Sequence, residues 1–168
     1  MDEILTERLR WRPMRPDDTD LYMAVMSDFE VVRMLGTWPW PPDRDEVARR
    51  CANPPEGPGF LGPIFVGDQM IGGMGVHDGG IGYAFGRAYW GKGYATEMGR
   101  AMITRAFARY DWDEIVADVW ADNPASARVL QKLGFEKRGR TIEYSTARKA
   151  EVPSLRFALK RPSPLSGT

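Results

Sequence analysis

The segment "GIGYAFGRAYWGKGYATEMGRAM", residues 80–102, constrains this chain more than any other. It reads as a short strand, a glycine-punctuated loop and the start of a long helix. A helix N-terminus carries unpaired N–H groups and the positive end of the macrodipole, so such a junction is a ready anion site. Within it, "GRAYWGKG" follows the phosphate-binding pattern G-x-x-x-x-G-K-[ST] up to the last position, where Gly93 replaces the hydroxyl residue. That hydroxyl coordinates the magnesium that accompanies a nucleotide, so a phosphate held here is held without an obligatory metal. Gly91 and Gly93 let a phosphate approach the backbone, and Lys92 adds charge of the right sign. A G-x-G-x-x-G dinucleotide fingerprint is absent, because "GIGYAFG" has one residue too many before its third glycine, and no repeated βαβ pattern surrounds it. The same glycines would also serve a tight strand-to-helix turn and nothing more.

The flanking patterns place this junction in a mixed sheet. Residues 5–13, "LTERLRWRP", alternate as a half-buried strand, with Leu9 and Trp11 inward and Arg8, Arg10 and Arg12 on a charged outer face. Asp17 or Asp18 can cap the helical stretch that follows, which reads as one bent helix or two short ones before "GTWPWPP" breaks it. A short helix is expected over 43–52. "FLGPIFV" and "QMIGGMGVH", joined at Gly67–Asp68, form a hairpin, and "GIGYAF" follows as a third strand. After the loop, Met98, Met102, Ala106 and Tyr110 recur at helical spacing through to Tyr110. "DEIVADVWA" is a strand, "NPASARVLQKLG" a helix, and "RTIEYST" and "VPSLRFALK" two final strands. The order predicts an α/β (α+β) fold with a mostly antiparallel sheet of about seven strands. One domain spans residues 1–160, and 161–168 read as a flexible tail.

The helix "NPASARVLQKLGF" is well punctuated, with Asn123 as N-cap, Pro124 at the first helical position and Gly134 as the stop. Ser126 precedes Val129 and Leu130 by three and four residues, so its hydroxyl shares the apolar face. A hydroxyl there either finds a partner within the helix or lines a cavity.

Taken together, "YWGKGYATEMGRAMITRAF" and "NPASARVLQKLGFEKRG" resemble the GNAT superfamily of acetyl-CoA-dependent N-acetyltransferases, most nearly its ribosomal-protein alanine N-acetyltransferase branch. The resemblance covers nearly the whole chain. It implies that Trp90, Gly91, Lys92, Gly93, Tyr94, Ala95 and Thr96 form the loop and helix start that cradle the pyrophosphate of coenzyme A. Trp90 stands where the family usually has Arg or Gln. The resemblance further implies two parallel strands, "GIGYAF" and "EIVADVW", splayed to admit the pantetheine arm, with Ala84 and Phe85 pairing to it and Asn123 bonding the coenzyme. The tyrosine that protonates the leaving sulfur in many members falls on Leu130 here; the ribosomal-protein branch has a serine at the matching N-x-x-S position, so the resemblance implies Ser126 as the candidate acid. Glu143 is the candidate base, although a strand glutamate also suits a solvent-facing position or an ion pair with arginine. Tyr144, its neighbour, is expected to pack on the opposite face.

The implied reaction is acetyl transfer from acetyl-CoA to a primary amine by direct attack. The acceptor is a protein or peptide N-terminus, or a small amine such as an antibiotic or amino acid. A non-catalytic acetyl-CoA sensor that kept the loop and lost the chemistry is the alternative from another class. Composition bears on the partners. The 168 residues carry 23 basic and 23 acidic side chains, so no net field favours nucleic acid or a membrane surface. One histidine, His77, and one cysteine, Cys51, make a metal site improbable, and Cys51 reads as inert. The single cysteine, the acidic start and the lack of a long apolar run fit a cytoplasmic protein. A homodimer is open to such a domain. Trp38 and Trp40 are expected either to line the acceptor site or to pack on the core.

Overall fold

The computed structural model describes residues 2–163. Its strands are β1 (Ile4–Leu5), β2 (Arg10–Trp11), β3 (Gly59–Val66), β4 (Gln69–His77), β5 (Gly80–Phe85), β6 (Glu114–Trp120), β7 (Glu136–Ser145) and β8 (Ala150–Lys160). The helices are α1 (Thr19–Met26), α2 (Phe29–Val32), α3 (Arg44–Ala52), α4 (Tyr94–Arg109) and α5 (Pro124–Lys132). All eight strands form one sheet in the order β1-β2-β3-β4-β5-β6-β8-β7, antiparallel except between β5 and β6. The extra strand relative to expectation comes from the N-terminus. Residues 5–13 are not one strand, because the chain turns at Thr6–Leu9 and closes with a hydrogen bond from Thr6 N–H to the Leu9 carbonyl. Of the two readings of the stretch that follows, one bent helix or two short ones, the second holds, as α1 and α2.

Each face of the sheet has its own core. On one face α4 lays Met98, Met102, Ile103 and Ala106 against Ile71, Met74 and Val76 of β4, with Ile115 and Ala117 of β6 beside them. On the other, α1 and α3 bring Tyr22, Met26, Val47 and Cys51 onto Phe65 and Met70. β4 feeds both cores, and a bulge at Ile71 switches its parity, so Met70 faces one core while Ile71, Met74 and Val76 face the other. Burial pushes the Cys51 thiol up, in keeping with an unreactive side chain.

Two sequence expectations change here. Arg12 does not belong to a charged outer face; it is 9% exposed and bonded through both terminal nitrogens to Asp18, at 2.8 and 2.6 Å. The Asp18 side chain does not cap α1 either. It accepts from the Arg15 backbone N–H at 2.8 Å and from Arg12, and its hydrogen bond raises the Arg12 pKa despite burial. The chain end also differs. Arg161 is tied down: its N–H donates to the Asp113 carbonyl, and its guanidinium donates to the carbonyls of Phe107 in the last turn of α4, of its C-cap Tyr110, and of Trp112 beyond it. Cations suit the carbonyl end of a helix. The expected flexible tail beyond Pro162 and Ser163 lies outside the described residues.

Removing one partner of a buried pair leaves the other charge uncompensated. Asp18→Ala therefore lowers unfolding stability by about 3–5 kcal/mol in urea denaturation. Asp20→Ala, which breaks only the exposed contact with Arg44, leaves the midpoint unchanged.

Candidate active site

The sheet is open at its one parallel junction. β5 pairs with β4 along its whole length, and β6 with β8 from Glu114↔Lys160 to Trp120↔Ser154, but β5 and β6 meet only at Gly80↔Val116. The Val116 N–H donates to the Gly79 carbonyl at 2.8 Å, and beyond that point the strands part. The gap is a cleft of about 540 Å³ lined by Tyr83 and Phe85 of β5, Ala117 and Val119 of β6, and Asn123 and Ser126 of α5. The expected splay of "GIGYAF" from "EIVADVW" is present.

The glycine loop closes one end of this cleft. Gly91 and Gly93 adopt φ of 72° and 79°, in the left-handed region where a Cβ is strained. Gly93 is the N-cap of α4 and offers no capping side chain, and the N–H groups of Tyr94, Ala95 and Thr96 meet no acceptor among the described residues. Gly91, Gly93, Tyr94, Ala95 and Thr96 all line the cleft together with Trp90. Lys92 is exposed and outside the lining, and its carbonyl accepts from Arg8 at 2.9 Å. Trp90 holds the loop to the strand by donating its indole N–H to the Phe85 carbonyl at 2.8 Å.

That bond and the ladder register redistribute the roles expected of β5. Gly86 N–H is bonded to the Ile71 carbonyl, so alternation along the antiparallel ladder turns the backbone of Ala84 toward β4. Ala84 lines the cleft, but the backbone groups that face the opening belong to Tyr83 and Phe85. The Phe85 carbonyl is already taken by Trp90.

On the β6 side of the cleft, Asn123 caps α5 by accepting from the Ser126 N–H at 3.2 Å, and its side-chain amide N–H groups have no acceptor among the described residues. The Ser126 hydroxyl does not bond back into its helix. It meets the Tyr83 hydroxyl across the cleft at 2.7 Å. Burial pushes the Tyr83 phenol up, and the Ser126 hydrogen bond works the other way. Leu130, at the position expected to lack the family's acid, is fully buried in the core.

Glu143 is not brought to the cleft. It is exposed on β7, accepts from the Thr141 hydroxyl at 3.0 Å, and adds to the charge field on Arg156. The carboxylates lining the cleft are Asp118 of β6, which takes Arg156 through both oxygens at 2.9 and 2.7 Å, and Asp122, which takes Arg148 at 2.7 and 3.0 Å. Tyr144 is 61% exposed rather than packed. His77 is held at the end of β4, its Nε2 2.7 Å from the Glu56 carbonyl.

Sequence reasoning missed three residues. Tyr83 carried a signal: with Ile81 and Phe85 it shares the inward parity of β5, so its hydroxyl had to find a partner on an apolar face. Asp118 carried a weaker one, as a lone carboxylate within an apolar strand. Arg8 carried none. It lies beside the loop, stacked 4.6 Å over the Tyr94 ring and bonded to Glu97 in the first turn of α4 at 2.6 Å.

A parallel strand pair parted beside an uncapped helix start, with a hydroxyl-lined apex, is the architecture of an acetyltransferase. The chain belongs to the GNAT acetyltransferase family: residues 8–136 match the Acetyltransferase (GNAT) domain. It is 30% identical to the uncharacterized N-acetyltransferase p20 of Bacillus licheniformis, over 95% of this chain and 96% of that protein. Among solved structures it superposes on an acetyl transferase of Salmonella typhimurium that modifies the N-terminal serine of a 50S ribosomal subunit protein. The TM-score is 0.79 at 16% identity, covering 96% of this chain and 100% of that one. It also superposes on AAC(6')-Ib in complex with ribostamycin and coenzyme A, with a TM-score of 0.76 at 18% identity over 92% and 94% of the two chains.

Burial alone would raise the Glu97 pKa, but hydrogen bonds from the Thr6 hydroxyl, the Arg8 N–H and the Arg8 guanidinium outweigh it and hold the carboxyl below its ordinary value. A carboxyl depressed in the folded state stabilises it above the unfolded pKa of about 4.3, and that contribution is lost as pH falls through the folded value. Glu97→Gln accordingly lowers the melting temperature at pH 7. The gap from wild type narrows on acidification below about pH 5 in thermal melts across that range.

Proposed function

We propose that this chain moves an acetyl group from acetyl-CoA to a primary amine by direct attack. The observation that supports this most is the cleft itself, an opening between β5 and β6 that ends on the unpaired N–H groups of Tyr94, Ala95 and Thr96. Those groups suit a pyrophosphate, because backbone N–H donors and a helix dipole hold anions without a metal. The backbone of Tyr83 and the amide of Asn123 suit the peptide-like arm of the coenzyme. Lys92 lies outside the cleft lining, so it adds field rather than a direct contact. When bound, acetyl-CoA supplies the thioester, and the chain supplies alignment, which is a large part of what such a transfer requires. Ser126, across the cleft from Tyr83, suits the departing sulfur.

The acceptor has its own cavity on the opposite face of the sheet. About 710 Å³ in volume, it reaches the cleft through shared residues at the splay, among them Gly82, Tyr83 and Asp118. Its wall includes Trp38, whose ring lies 4.4 Å from the Arg50 guanidinium. Trp40 instead packs on Phe29, at 5.2 Å between rings. Arg49 and Arg50 share the single carboxylate of Glu46, and Asp118 is the one carboxylate among the described lining residues, already engaged by Arg156. Such a groove has no free anionic side chain for a polycation. A peptide N-terminus or a small monoamine suits it better than an aminoglycoside.

Acetyl-CoA is expected to raise the melting temperature without magnesium, by mass action on the folded state. Gly93→Val removes most of that shift, because a β-branched residue is strained at φ 79° and blocks the approach to the helix start, whereas Lys92→Ala weakens binding only moderately. Thiol release is then measured against N-terminal peptides, monoamines and aminoglycosides. Peptides or monoamines are expected to give the highest kcat/KM, and binding without release to any amine would make the chain a sensor.

A further inference from the structure

Two hydroxyls of different acidity meet across the cleft. The Tyr83 oxygen lies 2.7 Å from Ser126 Oγ and 3.4 Å from the Ser126 carbonyl. Either oxygen can donate at 2.7 Å; with the phenol hydrogen on Ser126 Oγ, the shorter of its two contacts, the serine hydrogen is free to turn into the cavity that both residues line. Neither hydroxyl is committed to its own element. Ser126 has no bond back into α5, and Tyr83 reaches α5 from β5, 43 residues earlier in the chain.

The chemistry at this point asks for a proton. When the amine nitrogen bonds to the thioester carbon and the carbon–sulfur bond breaks, the electron pair leaves with sulfur. A serine hydroxyl can hydrogen-bond that thiolate, but giving up its proton alone would leave an alkoxide, a far stronger base than the thiolate it served. A phenol, at about 10 in unperturbed form and moved upward here by burial, is still far closer in acidity to a thiol, at about 8.5, than a serine hydroxyl is. Matching of this kind makes proton transfer effective.

We infer that Tyr83 is the source of the proton given to the departing sulfur, passed on through the Ser126 hydroxyl. The inference rests on the acetyl-transfer reading above. Sulfur takes the Ser126 hydrogen, Ser126 Oγ takes the Tyr83 hydrogen, and the phenolate left on Tyr83 regains a proton from water. The proton shed by the acylated nitrogen goes to water, so the sum is amine plus thioester giving amide plus thiol. Burial keeps the phenol protonated at neutral pH, and the Ser126 hydrogen bond stabilises the phenolate formed in passing. Charged groups around the same cleft are Asp118 of β6, Asp122 in the turn after it, and Arg128 and Lys132 of α5, with the phenols of Tyr89 and of Tyr94 on α4. The causes of the Tyr83 shift are burial and Ser126, with no contribution from any of these. Tyr83 thus supplies from a strand what Leu130, buried in the core, cannot supply from the helix.

The test uses the intact chain, acetyl-CoA and whichever amine the panel finds best. Tyr83→Phe is expected to lower kcat on the order of 100-fold, with the KM for acetyl-CoA unchanged and the melting temperature near wild type. Ser126→Ala lowers kcat similarly, and the double variant is no slower than the slower single one, because the two act in one path. Fluorotyrosine at position 83, more acidic than tyrosine, preserves the geometry and draws the alkaline fall of the rate to lower pH. A Tyr83→Phe enzyme with wild-type kcat, multiplicative losses in the double variant, or a fluorotyrosine enzyme with the wild-type pH profile overturns the relay. A wild-type chain that releases no thiol with any amine overturns the transfer reading, and the relay with it. If Tyr83→Phe melts early, the fluorotyrosine profile decides alone.

Discussion

The site exists because β5 and β6 share one hydrogen-bonded position and no more. Each strand has a full antiparallel partner on its outer side, so the sheet holds together without the junction between them. Two antiparallel blocks, β1 to β5 and β6-β8-β7, therefore lean apart like an open book. Unpaired backbone groups inside a sheet are costly unless something satisfies them. Here they face a cleft that solvent or an extended, amide-bearing ligand can enter. The opening is a binding edge created in the interior of a sheet, with no exposed edge strand needed.

Charge at the mouth of the cleft depends on the N-terminal turn. Glu97 sits in the first turn of α4, where a free carboxylate would compete for the same helix dipole that suits a phosphate. Thr6 and Arg8 take up both its oxygens from 91 and 89 residues away, and Arg8 also reaches the Lys92 carbonyl. The short β1–β2 hairpin thereby fixes the loop and neutralises its one adjacent acid. Asp118 is treated in the same way at the other opening, where Arg156 engages both of its oxygens. The acids nearest the two mouths are thus paired with arginines.

Local signals made much of this legible in the sequence. Positive φ at Gly91 and Gly93, the bare start of α4, and the Asn123 cap of α5 are properties of a few neighbouring residues, decided by backbone sterics and hydrogen bonding over a single turn. The β3–β4 hairpin and the strand–loop–helix order follow from periodicity and turn chemistry in the same way, and with them the α/β fold. The inward face of Ser126 was readable from helical spacing alone.

Long-range pairing decided the rest, and no local pattern encodes it. The sequence showed that the Ser126 hydroxyl needed a partner but could not say that Tyr83 would be it, because that contact depends on how far β5 stands from α5 across the gap. Arg12 looked like one more outward arginine until the turn after it brought Asp18 beneath it, and Arg161 looked like the start of a loose tail. Glu143 resembled a base in sequence, yet the β7–β8 register sets it on the outer strand, with Arg156 between it and Asp118. Side chains near in sequence share their surroundings through the geometry of one element. Side chains brought together by sheet order share them only after the whole sheet has closed, so the glycine turn at the start of α4 was written in the sequence and the Tyr83–Ser126 contact was settled by the tertiary structure.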